Sequence, residues 1–177
     1  MRADARRNRE LIVTTALGLF AERGAAVSME EIARAAGLGV GTLYRHFPDR
    51  QALVEDIALD ALRRLMVFGA TVTTEGTADD RPYWRSLRLV VEHCAGLPLA
   101  LIKALSPETT ANPELARLER DLNALFERLA RGAQEEGTLR GDIPPGEVVG
   151  LLNVAVCRPG ARADDHLTTV ILDGLRR

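Results

Sequence analysis

Cysteine is nearly absent from this chain: Cys94 and Cys157 are the only two in 177 residues, and they form no Cys-x-x-Cys pair. That excludes a disulfide scaffold and a thiolate zinc site, and leaves two reduced, buried thiols as the reading. Aromatic residues are also scarce, at 4%, with a single Trp. His93 adjoins Cys94, but neighbouring side chains on a helix point about 100° apart and cannot act as a nucleophile and base pair. With no clustered carboxylates or metal ligands, the expectation is no enzyme, no metal and no cofactor. A long apolar run is missing as well. Arg2, Arg6, Arg7 and Arg9 precede only a few apolar residues before Thr14, Thr15 and Glu22 intervene, so neither a signal peptide nor a transmembrane span fits, and a cytoplasmic protein with no membrane partner is expected. No repeat or low-complexity tract occurs, and no segment alternates with period two for long enough to make a strand.

What is present is helix after helix. With 46% hydrophobic residues the chain can build one large core or two small ones. The fold class expected is all-α, with about nine helices, the first three forming a head and the rest a body. The spacing of Ile12, Ala16, Leu19 and Phe20 predicts a helix from about residue 6 to Arg23, closed by Gly24. Charge is weakly divided: residues 1–50 hold eight Arg against six acids, and the remainder fifteen Lys and Arg against nineteen acids, so +2 faces −4. A basic head on an acidic body suits a reader of DNA.

The densest information lies between Ser28 and Leu53, SMEEIARAAGLGVGTLYRHFPDRQAL. Ser28 and Glu31 have the spacing of a capping box, so a helix starts there. Ile32, Ala33 and Ala36 give it an apolar side, and Gly37 ends it with a residue free to take positive φ. Gly39 then stands at an N-cap position. Leu43 and Phe47 recur at i, i+4, which turns Val40, Thr42, Tyr44, Arg45 and His46 outward. That outward set is polar, aromatic and cationic, as a helix lying against DNA requires. Gly37, Gly39 and Gly41 do not make a dinucleotide loop, because no strand precedes them.

The run IARAAG, then GTLYRHF, then Pro-Asp-Arg resembles the amino-terminal domain of TetR-type transcriptional repressors over about fifty residues. The resemblance implies a helix-turn-helix DNA-binding domain over residues 1–50 and an effector-binding and dimerisation domain over 51–177. It implies that the second helix of the unit enters the major groove. Thr42, Tyr44 and His46 would donate to phosphates, with Arg50 in place of the usual lysine. Arg45 is the long donor able to reach a guanine edge, and Val40 and Gly41 could meet a thymine methyl or allow close approach. The family commonly has Ser at the position of Gly39 and a polar residue at that of Val40, so one phosphate contact and one base contact of the family pattern are expected to be missing, and the sequence recognised stays open.

In the body, Leu53, Ile57, Ala61 and Leu65 form one stripe, predicting a helix from about 50 to the high sixties. The stretch from Ala70 to Pro82, ATVTTEGTADDRP, reads as a loop or link. A helix carrying Trp84, Leu87, Val91 and Cys94 follows, expected to kink at Gly96 and Pro98 and run on to Leu105. Ser106-Pro107 and Asn112-Pro113 read as N-cap and N1 pairs that start a short helix and a long one ending at Gly137. Pro144 and Pro145 open a helix with Val148, Val149, Leu151, Leu152 and Val156, and Asp164 or Asp165 caps a last one with Leu167, Val170, Ile171 and Leu175. These last two helices are rich in apolar residues for a chain end, and the resemblance implies that they form a homodimer's four-helix bundle. It also implies a small-molecule pocket, for which Trp84, Tyr83, His93, Cys94, Phe68, Phe126 and Met66 are the candidates. Each of these side chains alone equally fits an ordinary core. The partners expected are a double-stranded DNA operator, an unknown small-molecule effector and a second copy of the chain. A DNA-organising protein with the same head and no effector is the alternative.

Overall fold

The computed structural model describes residues 2–23, 26–74, 81–95, 97–99, 112–158 and 161–177. Eight helices lie among them: α1 Arg2–Arg23, α2 Met29–Ala35, α3 Val40–His46, α4 Arg50–Thr74, α5 Pro82–Ala95, α6 Pro113–Glu135, α7 Pro145–Val156 and α8 His166–Leu175. Among the described residues the only β pairing is an isolated bridge between Leu139 and Arg176. The short helix anticipated at Ser106-Pro107, the run on to Leu105 and the stop at Gly24 fall outside the described residues.

The head is built from short-range signals. Ile12, Ala16 and Phe20 of α1 are buried on one face against α2 and α3. The capping box at α2 is formed in full: the Ser28 N–H donates to Glu31 Oε2 at 2.8 Å, and the Glu31 N–H donates to Ser28 Oγ at 3.2 Å. Gly37 takes φ +67, which a side chain would strain, and so turns the chain between α2 and α3. Leu43 and Phe47 close the head core.

The body packs α4, α5, α6 and α7 against one another, with α8 on α7. Leu53, Ile57, Ala61 and Leu65 are buried along α4, and Trp84, Leu87, Val91 and Cys94 along α5, as their periodicity predicts. Asn112 caps α6, accepting from the N–H groups of Glu114 and Leu115 at 3.1 and 3.3 Å. Asp165 caps α8, accepting from the Thr168 N–H at 2.8 Å. The chain end is tied down: the Arg140 N–H donates to the Leu175 carbonyl at 2.9 Å and the Arg177 N–H to that of Thr138 at 3.0 Å.

One boundary differs from expectation. Residues 70–74, read as part of a loop, continue α4. Packing overrides composition here. Gly69 sits so close to Leu125 that a Cβ would collide with it, Val72 packs on the core, and the Val72 carbonyl accepts from Ser86 Oγ at 3.0 Å. Beyond Ala95, the last residue of α5, Leu97 forms a bend where a kink was expected, and Gly96 itself lies outside the described residues. The Leu97 N–H turns back to the Cys94 carbonyl at 3.0 Å, and Pro98 has no N–H with which to continue the ladder.

Candidate nucleic-acid interface and body cavity

Burial of Leu43 and Phe47 fixes which face of α3 looks out. Val40, Gly41, Tyr44 and Arg45 are exposed, and Thr42, His46 and Arg50 are half-buried. None of the seven predicted DNA contacts is buried, and Gly39 presents no side-chain cap to cover the first turn of α3.

Two of these side chains are already held by the head. The Tyr44 hydroxyl donates to Glu30 Oε1 of α2 at 3.1 Å. This bond, with desolvation and the Glu30 charge behind it, holds the phenol above its ordinary pKa. Arg50 donates to the Val27 carbonyl and lies over the Phe20 ring, 5.1 Å from its centre. It therefore braces α4 against α1 and the approach to α2. Arg9 has a matching role that its sequence position did not reveal, stacking over Phe47 at 5.0 Å and pairing with Asp56 of α4.

The body contains a cavity of about 280 Å³ where α4, α5, α6 and α7 meet. Its walls are Leu62, Leu99, Leu122, Phe126 and Val156 with the two thiols, and its polar groups are Glu119, Asn123 and Asn153. Cys94 and Phe126 were among the pocket candidates; the other five, Trp84, Tyr83, His93, Phe68 and Met66, are not in its lining. Phe68 and His93 stack on each other, 4.1 Å between ring centres and 14° between planes. Tyr83 covers Gly132, where a Cβ would strike the ring. Trp84 lies on a separate surface hollow with Arg88, Glu92 and Arg176. Tyr83 and Trp84 are fixed at the start of α5, where their N–H groups donate to Glu136 at 2.7 and 3.3 Å, a carboxylate at the positive end of a helix.

The thiols are not alike. Cys94 is buried and Cys157 half-buried, and burial, followed by the nearby Cys157, pushes the Cys94 thiol well up. The expectation of two buried thiols holds for Cys94 alone, because Cys157 follows the last turn of α7 at the cavity wall. Their distance in sequence hid that both reach one cavity. Glu119 and Asn123 were also missed, although their i, i+4 spacing beside Leu122 and Phe126 puts polar groups on the edge of an apolar stripe.

Among the described residues no helix is long and apolar enough to cross a membrane, and no group of three or more His, Cys, Asp or Glu is placed to hold a metal ion.

Comparison with known proteins separates the same two regions. Residues 12–57 match the family model "Bacterial regulatory proteins, tetR family", and residues 82–177 match "Transcriptional regulator SbtR-like, C-terminal domain". An HTH-type transcriptional regulator of Staphylococcus aureus (strain USA300) is 50% identical over 54 residues, which is 30% of this chain and 29% of that protein. The similarity to this curated relative thus spans less than a third of its length. Over nearly the whole chain, the fold is similar to that of a TetR transcription regulatory protein from Mycobacterium vanbaalenii, with TM-score 0.66, 30% identity and 99% of each chain covered. It is also similar to RolR, solved with its ligand resorcinol, with TM-score 0.52, 26% identity and 99% of this chain against 90% of that one. With a family model covering more than half of its length and a full-length structural relative, the chain belongs to the TetR family of bacterial regulatory proteins.

Proposed function

We propose that this chain is a DNA-binding transcriptional regulator, a homodimeric repressor released from its operator by a small molecule. The observation that carries this reading is the course of α4. Its first turns belong to the head, through Arg50 on Val27 and Asp56 on Arg9, and Leu62, about 9 Å further along the helix, lines the body cavity. A ligand that fits the cavity only when α4 is displaced must move the head, and linkage then requires that DNA weaken ligand binding by the same factor. The boundary at residue 50 divides reader from sensor, although the two share this helix. Thr42, Tyr44, His46 and Arg50 serve phosphates, Arg45 reads a base edge, and Val40 and Gly41 allow close approach.

Dimerisation follows from what the single chain leaves bare. Leu151 and Val154 on α7 are 39% and 59% exposed, and Leu167 and Val170 on α8 are 40% and 66% exposed. Two apolar faces on adjacent helices suit a twofold bundle with a second copy, which would set two α3 helices roughly 34 Å apart along DNA. RolR, a relative solved with resorcinol, supports a small-molecule role for the body.

The test is selection of bound DNA from a random pool, followed by titration of the enriched site. A twofold-symmetric site with half-sites one turn apart is expected, and Val170→Glu should give monomers in light scattering with weak binding to that site. Enrichment of no site, or an unchanged dimer in Val170→Glu and Val154→Glu alike, would overturn the reading.

A further inference from the structure

We propose that the body cavity selects amphipathic amines, whose cationic head pairs with Glu119 while the apolar part lies against Leu62, Leu122, Phe126 and Val156. This rests on the reading of the cavity as the effector site.

The argument begins with partners. Among the described residues Glu119 has neither a cation nor a hydrogen-bond donor, while Arg117 on the neighbouring turn pairs instead with Asp121 at 3.6 Å. Burial without a compensating charge therefore pushes the Glu119 carboxyl up. Asn123, one turn along α6, and Asn153 on α7 likewise have side chains without a hydrogen-bond partner among the described residues, and all three face the same cavity. Several other carboxylates are engaged, Glu31 with Ser28, Asp56 with Arg9, Glu114 with Arg63 and Asp165 with Arg158, and Glu119 is the carboxylate that lines the cavity. Together a half-buried carboxylate, the half-buried Asn153 amide and the exposed Asn123 amide border one apolar-walled space, and each amide can accept as well as donate.

The sign of the charge decides the class. None of the described residues that line the cavity is basic, and its other titratable groups are the thiols of Cys94 and Cys157. A carboxylate or phosphate ligand would bring a second negative charge beside Glu119 in a partly desolvated space where, among the described residues, only the asparagine amides could donate to it. A protonated amine instead supplies the missing cation and donates up to three hydrogen bonds, enough for Glu119 and the amide oxygens of both asparagines. A neutral alcohol falls between the two.

Phenylbutylamine, phenylbutanol and phenylbutyrate share one apolar skeleton and differ only in the head group. Calorimetric titration of the full-length protein should give an amine affinity at least tenfold above that of the carboxylate, with the alcohol intermediate. In Glu119→Gln, which keeps shape and removes charge, the amine should lose that tenfold advantage while the alcohol binds as before. Equal or tighter binding of phenylbutyrate, no binding by any probe, or an amine preference that survives Glu119→Gln would each overturn the proposal. Anisotropy of the bound operator distinguishes this from the regulatory reading. Glu119-dependent amine binding that leaves DNA affinity unchanged supports the cavity chemistry and sinks the effector role, whereas operator release by all three probes alike sinks the amine class and keeps the effector role.

Discussion

In the head, some polar side chains around the DNA face are engaged with other parts of the molecule: Ser28 with Glu31, Tyr44 with Glu30, Arg50 with Val27, Arg9 with Asp56. In the body cavity the reverse holds, and Glu119, Asn123 and Asn153 have no such partners among the described residues. Both regions rest on well-buried apolar residues, so the contrast is not one of packing quality. A surface that must keep one shape against a rigid duplex is held in advance by internal bonds. A cavity that must change occupancy leaves its polar groups for the occupant.

The strongest way to break this comparison is to unfold one region and ask whether the other survives. Phe47→Ala removes a ring that is 2% exposed at the centre of the head and should cost about 3–5 kcal/mol. Operator binding should vanish, while calorimetric ligand binding in the body should persist. A single calorimetric unfolding transition, shifted down with loss of both activities, would show that α4 fuses head and body into one cooperative unit.

A smaller effect sharpens the comparison inside the head. Arg45 is exposed, whereas the Tyr44 hydroxyl has Glu30 as its acceptor. Binding a phosphate through Tyr44 exchanges one acceptor for another, so Tyr44→Phe should cost only about 0.5–1.5 kcal/mol and weaken all sequences alike. Arg45→Ala should cost about 1–3 kcal/mol on the selected site and relax preference at one base pair. Equal losses on selected and random DNA for Arg45→Ala would remove it from base reading.

The difference between the regions also explains what the sequence made legible. The capping box, the turn at Gly37 and the outward face of α3 depend on neighbours within a few residues, and they stand where the letters placed them. The body helices were legible as stripes, from Leu53 to Leu65 and from Trp84 to Cys94, because burial follows period 3.6. What joins those stripes was not. The cavity gathers Leu62, Cys94, Phe126 and Cys157 from four places along the chain, and no local spacing records that meeting. Large aromatics drew attention to Trp84 and Tyr83, yet each is occupied outside the cavity. At residues 70–74 the Thr-rich composition favoured a loop, and contacts with Leu125 and Ser86 outweighed it. Arg50 reads as a phosphate ligand from its position at the start of α4, while its bond to Val27 requires a partner 23 residues away.

The smallest effect concerns the two thiols, and it probes the cavity without touching the head. Thiolate is the reactive form, so a maleimide reports both access and ionisation. Cys94 is 1% exposed, and burial pushes its thiol up; a raised thiol pKa means that ionisation, and with it reaction, is suppressed at neutral pH and returns only as pH rises. Cys157 is half-buried on the same cavity wall. Native protein at neutral pH should therefore take up one maleimide, at Cys157, and a second only after denaturation, with peptide mass spectrometry giving the site. Phenylbutylamine in the cavity should slow the first reaction severalfold and leave the denatured count unchanged. Equal labelling of both cysteines in native protein would mean that the α5–α7 contact opens on its own, and the body would then be the looser of the two regions before any ligand arrives.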